Sequence, residues 1–96
     1  MYDYHDATLK SVTLDWESGT MSMTFALCAE PAREATITMR ETTELKCERQ
    51  FPWGKSVSVN RLDMQKLDSV NRLELEMQSG DRIVILGKEV SEKLAD

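Results

Sequence analysis

Histidine is nearly missing from this sequence: His5 is the single one in 96 residues. Cysteine is scarce as well, with only Cys28 and Cys47 and no CxxC spacing. Those two shortages exclude the common zinc and non-haem iron sites, which draw several ligands from these residue types. Long hydrophobic runs are also missing. No stretch approaches the ~18 apolar residues of a membrane span. The opening Met-Tyr-Asp-Tyr-His-Asp has neither the basic segment nor the apolar run of a signal peptide. Excess positive charge is absent, the formal net charge being -5. That argues against a duplex-binding surface, which must neutralise phosphates. No GxxxxGK[ST] phosphate loop and no DxDxDG calcium loop occurs. The expectations that follow are no metal, no cofactor, no catalytic set, and a cytoplasmic protein with two reduced thiols. Only a fold that brought Cys28 and Cys47 together would permit a disulfide.

Apolar residues make up 41% and charged residues 30%, as in ordinary soluble globular proteins. The length predicts one domain, residues 1–96, with room for one modest core. Period-2 alternation, the mark of half-buried strands, dominates the chain. Val12, Leu14 and Trp16 alternate with Ser11, Thr13 and Asp15. After Ser18-Gly19, Met21, Met23, Phe25 and Leu27 alternate with Ser22, Thr24, Ala26 and Cys28. A two-residue loop would pair Trp16 with Met21, Leu14 with Met23 and Val12 with Phe25, all on one face. Glu30-Pro31-Ala32-Arg33 reads as a turn. Ala35, Ile37 and Met39 form a third alternating run, and Leu45 and Cys47 a short edge strand guarded by Glu44, Lys46, Glu48 and Arg49.

The chain is organised around its most apolar run, Ile83-Val84-Ile85-Leu86, joined through Ser79-Gly80 to Leu73, Leu75 and Met77. Its neighbour alternates, but this run is apolar on both sides. It therefore calls for a central strand, a packed C-terminal helix or a dimer contact. Residues 60–69 fit a strand or a short helix, and Val90 to Ala95 one or two helical turns. Ser58-Val59-Asn60-Arg61-Leu62 recurs as Ser69-Val70-Asn71-Arg72-Leu73, two similar strand starts or a coincidence. Met21, Met23, Met39, Met64 and Met77 fall mainly on inward positions, as adaptable core filler.

Few residues offer chemistry. His5-Asp6 has the composition of a general-base pair, but catalysis would need a nucleophile converging from elsewhere. Cys47 lies between Lys46 and Arg49 in sequence, which would favour a reactive thiolate only if those cations faced it. Pro52-Trp53-Gly54-Lys55-Ser56 is a rigid loop bearing a tryptophan, a residue type enriched among interface anchors. The candidate ligand- or partner-binding residues are accordingly Trp53, Lys55, Ser56, His5 and Asp6. Ser79-Gly80-Asp81 is explained by its hairpin.

Three patches, Tyr4-His5-Asp6-Ala7-Thr8-Leu9 with Asp15-Trp16, Phe51-Pro52-Trp53-Gly54-Lys55-Ser56 with Val57-Ser58-Val59-Asn60, and Glu76-Met77-Gln78-Ser79-Gly80-Asp81, resemble a group of small uncharacterised bacterial proteins of about this length. The resemblance implies a bacterial, cytoplasmic, single-domain protein and brings no activity or ligand. In size and charge the chain is also similar to the immunity proteins of bacterial toxin systems, an analogy only.

The reading of the sequence is an all-β, mostly antiparallel domain of six or seven strands, a sandwich or partly open barrel, with one short helix allowed. The expected function is a non-catalytic protein-binding or self-associating module. The alternative is a small-ligand binder or enzyme with its site near His5 and the Trp53 loop. Nucleic-acid binding would require Arg61, Lys66, Arg72 and Arg82 on one face.

Overall fold

The computed structural model describes residues 2–29, 31–51 and 57–95. Eight strands run in sequence order: β1 Thr8–Asp15, β2 Thr20–Ala26, β3 Glu34–Arg40, β4 Glu44–Cys47, β5 Val59–Leu67, β6 Val70–Met77, β7 Arg82–Gly87 and β8 Glu89–Leu94. They form two four-stranded sheets, ordered β1-β2-β3-β8 and β4-β7-β6-β5, every pairing antiparallel. The all-β antiparallel expectation holds. The strand number rises to eight, and no described residue is helical.

Both helix candidates are strands. Residues 60–69 enter β5, where Leu62 and Met64 pair with Leu75 and Leu73. Residues 90–95 enter β8, which pairs along all of β3 from Arg40 to Ala35. In each case a long partner with a free edge supplies ladder bonds that a short isolated helix lacks.

Two chain segments belong to both sheets. β3 passes into β4 through residues 41–43, and β7 passes into β8 at Gly87-Lys88. Because β3 pairs β8 and β4 pairs β7, the four strands are one long bent ribbon. Gly87 permits the bend: a Cβ there would lie 2.4 Å from Met39 Cγ and 2.9 Å from the Arg40 carbonyl oxygen. Glu41 takes a positive φ of 51° on the opposing strand, and Lys88 N–H bonds Arg40 O across the corner at 3.1 Å.

The core lies between the sheets. Met21, Met23, Phe25, Ala35, Ile37, Met39, Val59, Leu73, Leu75 and Ile85 are fully buried, with Met77 and Ile83 nearly so. The methionines thus fall inward, Met64 only partly. The N-terminal arm is part of this core. Tyr4 and Ala7 are buried, and the Tyr4 ring meets Phe25 edge-on, with centroids 4.8 Å apart.

The first hairpin register differs from the two-residue loop read from sequence. The first loop spans four residues, so Asp15 pairs Thr20, Leu14 pairs Met21 and Val12 pairs Met23. Trp16 leaves the strand and is 89% exposed. The shift is by two, so Val12 and Leu14, unlike Trp16, stay on the inward face. The β6–β7 loop holds three residues, Gln78-Ser79-Gly80, closed by Met77 N–H to Asp81 O at 2.8 Å. Leu75 therefore faces Ile83 and Leu73 faces Ile85 inside the core, leaving Val84 and Leu86 outside. The apolar run is satisfied because β7 is a central strand, and its outer residues lie between Arg72, Glu74, Glu44 and Lys46.

Candidate functional site

The two sheets part along one side, where the edge strands β1 and β4 face each other. Each has one ladder partner, β2 and β7 respectively; past the bridge of Thr8 to Ser58 at the start of β1, the outward half of each backbone has no ladder partner among the described residues. The opening is closed at both ends. At one, Leu9 N–H donates to Val57 O at 2.8 Å; at the other, Thr42 N–H donates to Gly19 O at 3.0 Å. Between them lies a groove. One part, of about 450 Å³, is lined by Leu9, Val12, Cys47, Arg49, Val57 and Ile83. The other, of about 410 Å³, is lined by Leu14, Trp16, Thr42 and Leu45. Trp16 and Val57, two of the exposed large hydrophobic side chains, stand at its opposite ends. Its floor is apolar because the inward residues of β1 have no β4 neighbour to seal them.

Asp81 anchors one border of the groove. It is 3% exposed, and its carboxylate accepts the Gln50 and Phe51 backbone N–H groups at 3.3 and 3.0 Å. Sequence reading gave Asp81 only a hairpin role. Its register position, opposite the inward Met77, was the signal that its side chain turns inside.

Cys47 lies on the groove but is not an activated thiol. Desolvation first, then the charge of Asp81, pushes its pKa up, and Arg49 only partly opposes this. Cys28 and Cys47 are both free and exposed.

His5 and Asp6 sit elsewhere, where the arm meets β5. His5 Nδ1 donates to the Asn60 carbonyl at 2.8 Å, and its Nε2 lies 3.6 Å from Asp6 Oδ2, both side chains more than half exposed. Gln78 Nε2 donates to Asp6, and Asp6 N–H bonds Val59 O at 2.8 Å. The Asn60 bond, then the charge of Asp6, raises the His5 pKa above 6.5. These residues line a wide, shallow depression with Asn60 and Gln78. The contacts lock the arm onto β5; none brings a nucleophile to His5. Trp53, Lys55 and Ser56 lie outside the described residues, as does Glu30 of the expected turn.

Arg61, Arg72 and Arg82 do share a face, the outer side of the β4-β7-β6-β5 sheet, but acids are interleaved with them. Arg61 contacts Asp63, Glu74 and Glu76; Arg72 contacts Glu74; Arg82 contacts Glu74 and Glu76. Asn60, donating to Glu76 at 2.8 Å, is the first cause of that carboxyl's lowered pKa, and the arginines add to it. Lys66 turns to the opposite face, with Leu62 and Met64. No basic stripe forms there. Among the described residues no group of three or more His, Cys, Asp or Glu is placed to hold a metal, and no helix is long and apolar enough to cross a membrane.

No protein-family profile matches the chain, and no curated protein matches it. The fold is shared with a crystal structure of an uncharacterized protein from Neisseria gonorrhoeae, at TM-score 0.74 and 12% identity, over 95% of this chain and 93% of that one. At that identity the likeness shows the fold alone. It agrees with the resemblance to uncharacterised proteins of this size.

Proposed function

We propose that this chain is a non-catalytic protein-interaction module of the bacterial cytoplasm, and that it binds in the groove between β1 and β4. The observation that carries the reading is the coincidence of an apolar floor with walls whose backbone, past Leu9, has no ladder partner among the described residues. Apolar floor favours a protein side chain; unpaired strand edges favour an extended backbone that adds to them. Trp16, exposed at one end, supplies the aromatic contact common at interfaces.

The reading is tested by selecting peptides from a random display library on the intact protein. The expected result is enrichment of sequences with alternating apolar residues, and loss of their binding in Cys47→Arg, which places a charged bulk in the groove while leaving the core untouched. No enrichment, or binding indifferent to Cys47→Arg, would overturn it. A small-ligand or enzymatic site at His5 and Trp53 has less support, because His5 stands in an open depression rather than the enclosed pocket such sites use.

A further inference from the structure

We propose that the occupant of the groove is a second copy of this chain, with β1 of each copy paired antiparallel to β1 of the other about Thr13. The inference rests on the groove being an interaction surface, and it names the partner.

The four sheet edges are guarded unequally. Natural edge strands avoid pairing with other chains by inward charges, shortness or bulges. β8 places Glu92 on its inner face, opposite Ile37. β5 turns Lys66 to the side that Leu62 and Met64 present to the core. β4 has four residues, with Glu44 and Lys46 directed outward, and runs into Glu48-Arg49. β1 lacks these guards over Ser11-Val12-Thr13-Leu14, an uncharged stretch flanked by Lys10 and Asp15. Its one irregularity, a bulge between Leu9 and Ser11, sits at the Val57 end and leaves 11–15 regular.

The strand is also complementary to itself. Lys10 reaches Glu34 on the outer face at 2.9 Å, so the bulge puts its side chain on the same face as Ser11 and Asp15. A two-fold axis at Thr13 sets Ser11 opposite the partner's Asp15 and Val12 opposite the partner's Leu14. Faces match because the register sum is even. The basic start of each β1 then meets the acidic end of the other, as an isologous contact requires. The β1-β2-β3-β8 sheets join into one of eight strands. Val12 and Leu14 of each copy extend over the groove of the other, covering Leu45 and Cys47.

The test is solution mass by light scattering on a sizing column over a wide concentration range, with Lys10→Glu, Asp15→Lys and the double variant. The wild type is expected to dimerise. Each single reversal, counted twice by the symmetry, should weaken dimerisation about tenfold. The double reversal should restore it, because the charges again oppose. A monomer at every concentration overturns the proposal; if peptides are still selected in the groove, the interaction reading stands and only the self-pairing falls. A dimer unaffected by either single reversal places the contact elsewhere and overturns it equally.

Discussion

Tyr4 Oη lies 2.5 Å from Glu92 Oε2, and the same carboxylate oxygen accepts the Tyr2 backbone N–H at 3.0 Å. One inward acid on β8 thus holds the N-terminal arm across the open end of the sandwich. Burial first, then the Glu92 bond and charge, raises the phenol well above its ordinary 10.0. A raised folded-state pKa means that the contribution is complete below pH 10.0 and is lost as pH rises above it. Tyr4→Phe should lower the free energy of urea unfolding by about 1 kcal/mol at neutral pH. It should also flatten the alkaline decline of stability. An unchanged alkaline limb would contradict the assignment. Asp81 makes a parallel case at the other end. Asp81→Ala leaves the Gln50 and Phe51 N–H groups without their acceptor in a partly buried setting. Chemical denaturation should show a loss of about 1–3 kcal/mol.

Among the elements, the bent ribbon of β3–β4 against β7–β8 makes two sheets from continuous chain, and Gly87 is its hinge. Gly87→Ala should cost about 1–3 kcal/mol, because the added methyl meets buried Met39 and a backbone carbonyl. Thermal unfolding measures this; a neutral substitution would mean that the corner can open. The elements also show what sequence could reveal. Strong alternation marked which residues of β1, β2, β3 and β6 turn inward, and the methionines followed; β7, apolar on both sides, carried no such mark. The register of the first hairpin was not legible, since loop length is set by the turn conformation and a shift by two leaves the faces of Val12 and Leu14 unchanged. Trp16 was misplaced for that reason. β8 was missed because Glu92 interrupts its apolar side, and Glu92 makes sense only beside Tyr4, 88 positions away. The repeated Ser-Val-Asn-Arg-Leu segments did prove to be two strand starts, of β5 and β6, whose arginines meet at Glu74. The groove was invisible to any pattern within one segment, because its walls come from strands that never pair.

Taken whole, the molecule has two contrasting outer faces. The β1-β2-β3-β8 sheet carries rows of hydroxyls, Thr13-Ser22-Thr38-Ser91 and Ser11-Thr24-Thr36, ending in Lys93. The other carries the interleaved arginines and acids. That network balances charge rather than building a field, so it offers little to a polyanion. Its pairs are largely solvent-facing, so Arg72→Gln should reduce stability by less than about 1 kcal/mol, as read by denaturant midpoint. A larger loss would mark the network as structural. What neither face provides, the side between β1 and β4 does: apolar surface bordered by strand edges that have no ladder partner among the described residues. We hold that β1 of a second copy docks there. Amide hydrogen exchange of the wild-type protein at low and high concentration tests it most directly. The amides of Ser11 to Asp15 should gain protection with concentration while those of β8 do not. Exchange in β1 that ignores concentration, with protection arising instead on β8 or β5, would contradict it.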